Sequence, residues 1–303
     1  MARKFKVALA LGGGGVRGLA HIGVLKVLEQ AKIPLDLIVG TSMGSIIGGS
    51  YALSGDTAKL EQQVLELLAR EEISKLEILA ADSAPDEKRM IIENLVSFVK
   101  DLLLWNLKGI KRWVANGNEI KQLVKEMVGE ADFTQTKIHF ACIACDLKNG
   151  EEIILRQGSL ADAIMASSAV AAVFPPVELQ RRLLIDGGII SEVPIEAAHR
   201  LGADFIIGVN VSSRILYDKF RHGMDILFQA DEIRSYELNR LKLKMADFVI
   251  TPLVDHISWA AFSKGAQCIK EGELATQKII PQLKSALAKK ARLHHLRKFF
   301  FLR

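Results

Sequence analysis

Short apolar runs alternate with amphipathic stretches along most of this chain, and the spacing of the hydrophobic positions predicts its elements. Val7–Leu11 is an unbroken apolar run closed by Gly12, Gly13, Gly14 and Gly15, which reads as a buried strand. Residues 17–31 place Leu19, Ile22, Val24, Leu25, Val27 and Leu28 at the spacing of a helix buried over much of its surface. Pro34 restarts the chain, residues 35–39 predict a second strand running into Gly40, and residues 45–53 predict a helix of small residues. From Thr57 to about Glu130 the pattern is helical and charge-rich, with breaks at Ala84-Pro85 and Asn116-Gly117-Asn118. Strand signals return at 138–145 and, after Lys148-Asn149-Gly150, at 152–156. A small-residue helix is expected over 161–173, stopped by Pro175-Pro176, followed by a strand at 183–186 and a helix near 195–201. Further strands are expected at 205–211 and 248–251. Strands alternating with helices argue for an α/β fold whose mostly parallel sheet is covered on both faces.

Composition narrows the class. With 303 residues, half of them hydrophobic, the chain can bury one substantial core. No run approaches the ~18 consecutive apolar residues of a spanning helix, so a soluble or peripheral protein is expected. The start, Met1-Ala2-Arg3-Lys4-Phe5-Lys6, imitates a signal peptide, but its apolar run passes directly into glycines and Arg17, so a retained first strand is expected. Three cysteines, an odd number, do not make a disulfide framework and fit a cytoplasmic setting. Cys142 and Cys145 form a C-x-x-C inside a strand-like run, where residues three apart point to opposite faces, so a buried structural role is expected rather than a redox or zinc site.

Charge is unevenly spread. From Leu274 to Arg303 there are eight Lys or Arg and no Asp or Glu, so the formal +5 of the chain resides there and the remainder is net acidic. With Leu283, Leu287, Leu293, Leu296, Phe299 and Phe300 among the basic residues, this tail suits either a helix docked on the domain or an amphipathic segment drawn to anionic lipid. No nucleic-acid partner is expected. Residues 95–114, with Phe98, Trp105 and Trp113 among Leu, Val and Lys, suit a lid, a lipid-touching helix pair, or helices covering the core.

Two glycine-rich turns carry the candidate chemistry. Gly40-Thr41-Ser42-Met43-Gly44 has the G-x-S-x-G form of a nucleophile elbow, and it lies between a strand and a helix as that motif requires. Average Gly and Ser usage gives on the order of 0.1 chance matches in a chain this long, so context carries the reading. The first turn, Gly12 to Gly18, offers backbone amides at Gly14 and Gly15 that, with the amide of Met43, can converge on an oxyanion. The same loop fits the dinucleotide pattern G-x-G-x-x-G, but the second strand ends without the acidic residue that would hold a ribose. A serine needs a base. His256 after Asp255 fits the order Ser, acid, His; Asp186, a lone carboxylate amid apolar residues in Leu184-Ile185-Asp186-Gly187-Gly188, is the other candidate, with a pKa that such surroundings raise.

Taken in order, Gly13-Gly14-Gly15-Val16-Arg17-Gly18, Gly40-Thr41-Ser42-Met43-Gly44 and Asp186-Gly187-Gly188 resemble the patatin-like phospholipase family, whose motifs are G-G-G-x-[RK]-G, G-x-S-x-G and D-G-[GA]. The resemblance extends to His21-x-Gly23-Val24-Leu25, Ala166-Ser167, Pro175-Pro176 and Leu201-Gly202-Ala203-Asp204. It implies a three-layer α/β/α sandwich and a serine esterase with Ser42 as nucleophile and Asp186 as its direct partner. Gly13, Gly14, Gly15 and Gly18 would build the oxyanion loop beside Arg17, and Gly40 and Gly44 would permit the elbow. No metal or cofactor is implied, and the substrates would be phospholipids or lysophospholipids. The chain departs from the family at Ser191 and Glu192, where Asn and Pro are frequent. A non-catalytic, lipid- or partner-binding regulator with the same fold is the rival reading. The expected organisation is a catalytic unit over 7–211, the rest of the α/β core over 212–273 and the basic helical tail over 274–303, in a cytoplasmic protein peripheral at the inner membrane face.

Overall fold

Alternate residues of the first strands divide between two hydrophobic cores. From β1 (Val7–Leu11), Val7, Leu9 and Leu11 join one core, while Ala8 and Ala10 join the other. From β2 (Leu37–Gly40), Ile38 points to the first, Leu37 and Val39 to the second; β3 (His139–Asp146) divides Phe140, Cys142 and Ala144 from Ala141 and Ile143 in the same way. A strand apolar on both sides has to be covered on both faces, and the computed structural model has that three-layer α/β/α arrangement. The structure describes residues 5–70, 117–171, 173–213, 215 and 223–301; the 95–114 segment lies outside them.

The remaining strands are β4 (Glu152–Leu155), β5 (Val177–Leu179), β6 (Arg182–Asp186), β7 (Phe205–Val209) and β8 (Phe248–Ile250). The sheet runs β5-β6-β3-β2-β1-β7-β8, with β4 also paired to β3. It is parallel from β3 to β8 but mixed overall, because β4, β5 and β6 pair antiparallel. One detail of register builds the site. Cys142 pairs with both Gly40 and Leu155, and Ala144 with both Ile153 and Asp186, so β2 and β6 share one edge of β3. They meet there head to head, which brings the ends of β2 and β6 two positions apart along β3.

The first core is covered by α1 (Ala20–Gln30), α2 (Met43–Ser54), α3 (Thr57–Leu68), α4 (Gly117–Val128) and α5 (Leu160–Ser167). The second is covered by α6 (Ile195–Arg200), with Leu243 from α7 (Gly223–Leu243) packed against it. The last helix, α8 (Gly265–Phe301), contains the basic 274–303 segment up to Phe301 and crosses α1 closely. A Cβ on Gly272 would come within 2.0 Å of the Ala20 carbonyl, so the crossing depends on that glycine. Leu283 and Thr276 of α8 are fully buried, the Lys290 ammonium pairs with Asp247, and Leu293 and Leu296 are exposed. His294 also lies against the domain, 3.6 Å from Asp204 and ring to ring with Phe5, so the docked reading describes the tail as far as His294.

One expectation is corrected, and one helix had no sequence reading. The helix expected over 161–173 ends at Ser167, because residues 168 and 169 turn away to bond other parts of the site. Helix α7, unforeseen, buries Gln229 and Asn239 while exposing Ile226, Leu227 and Leu241, an inverted pattern that periodicity cannot read.

Candidate active site

The strand β2 ends at Gly40, and the chain reverses into α2 within two residues. Ser42 takes φ 52° and ψ −123°, a sparsely populated conformation for a residue with a side chain. Such a turn lifts the hydroxyl out of the sheet edge at the N-terminus of α2, where the helix dipole favours negative charge. Neighbouring backbone passes too close for any side chain at Gly44, whose Cβ would sit 2.2 Å from the Leu11 carbonyl. At Gly40 a Cβ would meet the Gly44 carbonyl at 2.5 Å. The spacing of the G-x-S-x-G motif thus follows from packing of the elbow against β1.

Asp186 arrives from the other direction, at the end of β6. It is 7% exposed, and its carboxylate accepts the Gly188 amide at 2.7 Å. The Ser42 hydroxyl is close enough to this carboxyl to pull its pKa down. Burial raises the Asp186 pKa from 3.8 to about 6, against the opposing pull of Ser42 and the Gly188 amide. A Cβ at Gly187 would strike the Ile143 carbonyl at 2.5 Å, so this turn too is pressed onto the sheet.

The turn after Asp186 closes the site from below. The Thr41 hydroxyl donates to the Ser191 carbonyl at 3.1 Å, and the Ser191 hydroxyl donates to Val193. The Gly13 amide donates to the Glu192 carbonyl at 2.9 Å, and the Val16 amide to Trp259 at 2.8 Å. Gly13 and Val16 therefore anchor the glycine-rich loop, while no hydrogen bond within the described residues engages the amides of Gly14, Gly15 or Met43. Gly14 (φ 147°) and Gly15 (φ 58°) hold backbone that side chains rarely adopt. Arg17 is buried and donates to the Gly14 carbonyl at 3.2 Å. Burial lowers its pKa, and the field of Glu192 counters that. Arg17 is thus a clamp on the loop from inside rather than a free cation. Burial likewise raises the Glu192 carboxyl, which the Ser212 hydroxyl and Arg17 oppose. Gly18 packs against Met43, where a Cβ would come within 2.7 Å of the Met43 side chain.

No hydrogen bond among the described residues links a histidine to Ser42. His256 is exposed beside Asp255, at 3.7 Å, so the order Ser, acid, His does not assemble a triad here. Cys142 and Cys145 are buried free thiols whose pKa values burial pushes up. Among the described residues there is no group of three or more His, Cys, Asp or Glu that could hold a metal ion, and no helix long and apolar enough to cross a membrane.

His21 supports the loop from within the core. Its Nε2 lies 2.7 Å from the Gly12 carbonyl, which can only accept, so Nε2 carries the proton and Nδ1 is left without a partner. Burial lowers its pKa from 6.5 to about 4. Because the unfolded chain takes up this proton first, the neutral ring supports stability above pH 6.5, and that support is lost as the pH falls toward 4, roughly 3 kcal/mol in all. Urea unfolding between pH 7 and pH 4 is therefore expected to show a steeper loss for wild type than for His21→Gln. Equal slopes would mean that the ring titrates normally.

The patatin-like phospholipase family model matches residues 9–199, and the chain belongs to that family. It is 28% identical over 207 residues to lysophospholipase nte1 of Aspergillus fumigatus, covering 68% of this chain and 12% of that protein. It is 30% identical over 209 residues to a patatin-like phospholipase domain-containing protein of Caenorhabditis elegans, covering 68% of this chain and 14% of that one. An uncharacterized NTE family protein of Mycobacterium tuberculosis is 31% identical over 207 residues, 68% of this chain and 49% of the relative. The chain thus spans half or less of the length of each of these relatives. Among solved structures, VipD from Legionella pneumophila aligns with TM-score 0.46 and 17% identity, over 92% of this chain and 67% of that one.

Proposed function

We propose that this chain is a lipid acyl hydrolase that cleaves carboxylic esters of phospholipids or lysophospholipids through a Ser42–Asp186 dyad. The observation that carries the reading is the meeting of a serine on a strained elbow with a buried carboxyl whose pKa is raised to about 6. Family membership and the printed names of the relatives supply the lipid part.

In the first step the Ser42 oxygen bonds to the ester carbonyl carbon while its proton passes to Asp186. The carbonyl oxygen becomes an oxyanion, held by the amides of Gly14, Gly15 and Met43. Collapse breaks the bond to the alcohol, which leaves with the proton from Asp186, and the acyl group remains on Ser42. Water then attacks that acyl carbon, giving its proton to Asp186; collapse releases the fatty acid and returns the proton to the Ser42 oxygen. A carboxylate with a pKa near 6 suits this role, since it is ionised at neutral pH yet basic enough to take a proton. No metal or cofactor enters these steps.

Contact with a membrane surface is part of the proposal. The end of α8 exposes Leu293 and Leu296 beside Lys289 and Arg292, a pairing of apolar and cationic groups suited to anionic lipid. The purified protein, incubated with defined phospholipids and lysophospholipids, is expected to release free fatty acid identifiable by mass spectrometry. A folded protein that releases none, and that a fluorophosphonate leaves unlabelled, would point to the regulator reading instead.

A further inference from the structure

The amide of Ser42 has no place in a helix. It precedes the first turn of α2, and its positive φ directs the N–H away from that helix toward α5. There it donates to the hydroxyl oxygen of Ser167 at 3.1 Å. Ser167 is fully buried at the C-terminal end of α5. Two residues on, the carbonyl of Ala169 accepts the amide of Asp186 at 2.9 Å. Between them the Ser168 hydroxyl lies 3.5 Å from that of Ser45, which itself donates to the Ser42 carbonyl at 2.6 Å. A single tripeptide therefore touches the main chain of both Ser42 and Asp186.

We propose that Ser167 is a positioning residue, whose hydroxyl oxygen holds the Ser42 elbow at the distance from Asp186 that proton transfer needs. The proposal rests on the dyad reading above. Sequence reasoning placed Ser167 in the family resemblance but gave it no role, because a serine within an expected helix commonly bonds back to its own backbone. Here the helix stops at Ser167 and the next two residues turn toward the site, which is the arrangement a strut between two strand ends requires. Without this oxygen the Ser42 amide loses its acceptor, and the strained φ loses one of the contacts that hold it.

The test compares Ser167→Ala and Ser167→Thr with Ile164→Val, a packing change on the same helix that leaves the hydrogen bond intact. Losing the acceptor is expected to slow fluorophosphonate acylation of Ser42, and kcat on a water-soluble ester, by about 10- to 100-fold in Ser167→Ala. KM should stay within about twofold, since Ser167 does not touch substrate. The pH midpoint of acylation should move above its wild-type value, because a loosened elbow takes the Ser42 hydroxyl away from Asp186. Ser167→Thr, which keeps the γ-oxygen, should recover most of the rate, whereas Ile164→Val should lower thermal stability and leave both rates alone. Wild-type labelling with an equally fast, folded Ser167→Ala would overturn this inference and leave the dyad standing. Wild type that does not label at all would overturn the dyad itself.

Discussion

Ser42→Ala is expected to lower fatty acid release by at least about 10⁴-fold, with fluorophosphonate labelling abolished and lipid binding retained. The size follows from the chemistry. The hydroxyl forms the covalent bond on which both half-reactions run, so its removal leaves only what the oxyanion amides and substrate binding contribute, roughly 10³- to 10⁴-fold over water in enzymes of this logic. The fold should survive, because the amide contact to Ser167 and the carbonyl contact to Ser45 belong to the main chain at position 42 and persist in alanine. Alanine does keep the strained φ of 52°, so a modest loss of stability is expected with it. Turnover above about one per cent of wild type would place the nucleophile elsewhere.

Much of this site was legible because its demands are local. Gly40 and Gly44 occur where backbone crosses backbone, Ser42 where a strand must reverse into a helix, and Asp186 at the end of an apolar run that had to be buried. Each leaves its mark within a few residues of sequence. The two-sided burial of β1, β2 and β3 was equally plain, since runs apolar at successive positions have no wet face.

What stayed hidden depends on contacts between distant segments. Nothing in the run 182–186 says that it pairs antiparallel with β3, end to end with β2, yet that register is what brings Asp186 to Ser42. Arg17 looked like charge for an oxyanion, but its burial and its bond to Gly14 make it part of the loop's scaffold. Gly13 was expected to help build the oxyanion loop, and its amide is spent on the Glu192 carbonyl. Helix α5 ends early for the same kind of reason: helix propensity through Ala171 is weaker than the hydrogen bonds that residues 167 and 169 make with the site.

Asp186→Asn is expected to do two opposite things at once. Activity should fall by about 10³- to 10⁵-fold, because the amide can still accept from Gly188 but cannot take the proton of Ser42. Stability should rise. In the wild type the folded-state pKa of about 6 lies above the unfolded value of 3.8, so the folded protein holds a proton that the unfolded chain has already released between those limits. Below pH 3.8 the carboxyl carries no penalty; as the pH rises through 6 that stability is lost, on the order of 3 kcal/mol once the buried group is ionised. The asparagine variant escapes this, so urea unfolding should show it more stable than wild type at pH 7 to 8, with the two curves converging near pH 4. Wild-type turnover should fall about tenfold per pH unit below 6, following the same carboxylate. The two measurements interrogate one group: a variant that is inactive but no more stable at neutral pH would mean that Asp186 is not held ionised at a cost, and a variant that is stabilised but active would mean that the proton of Ser42 goes elsewhere.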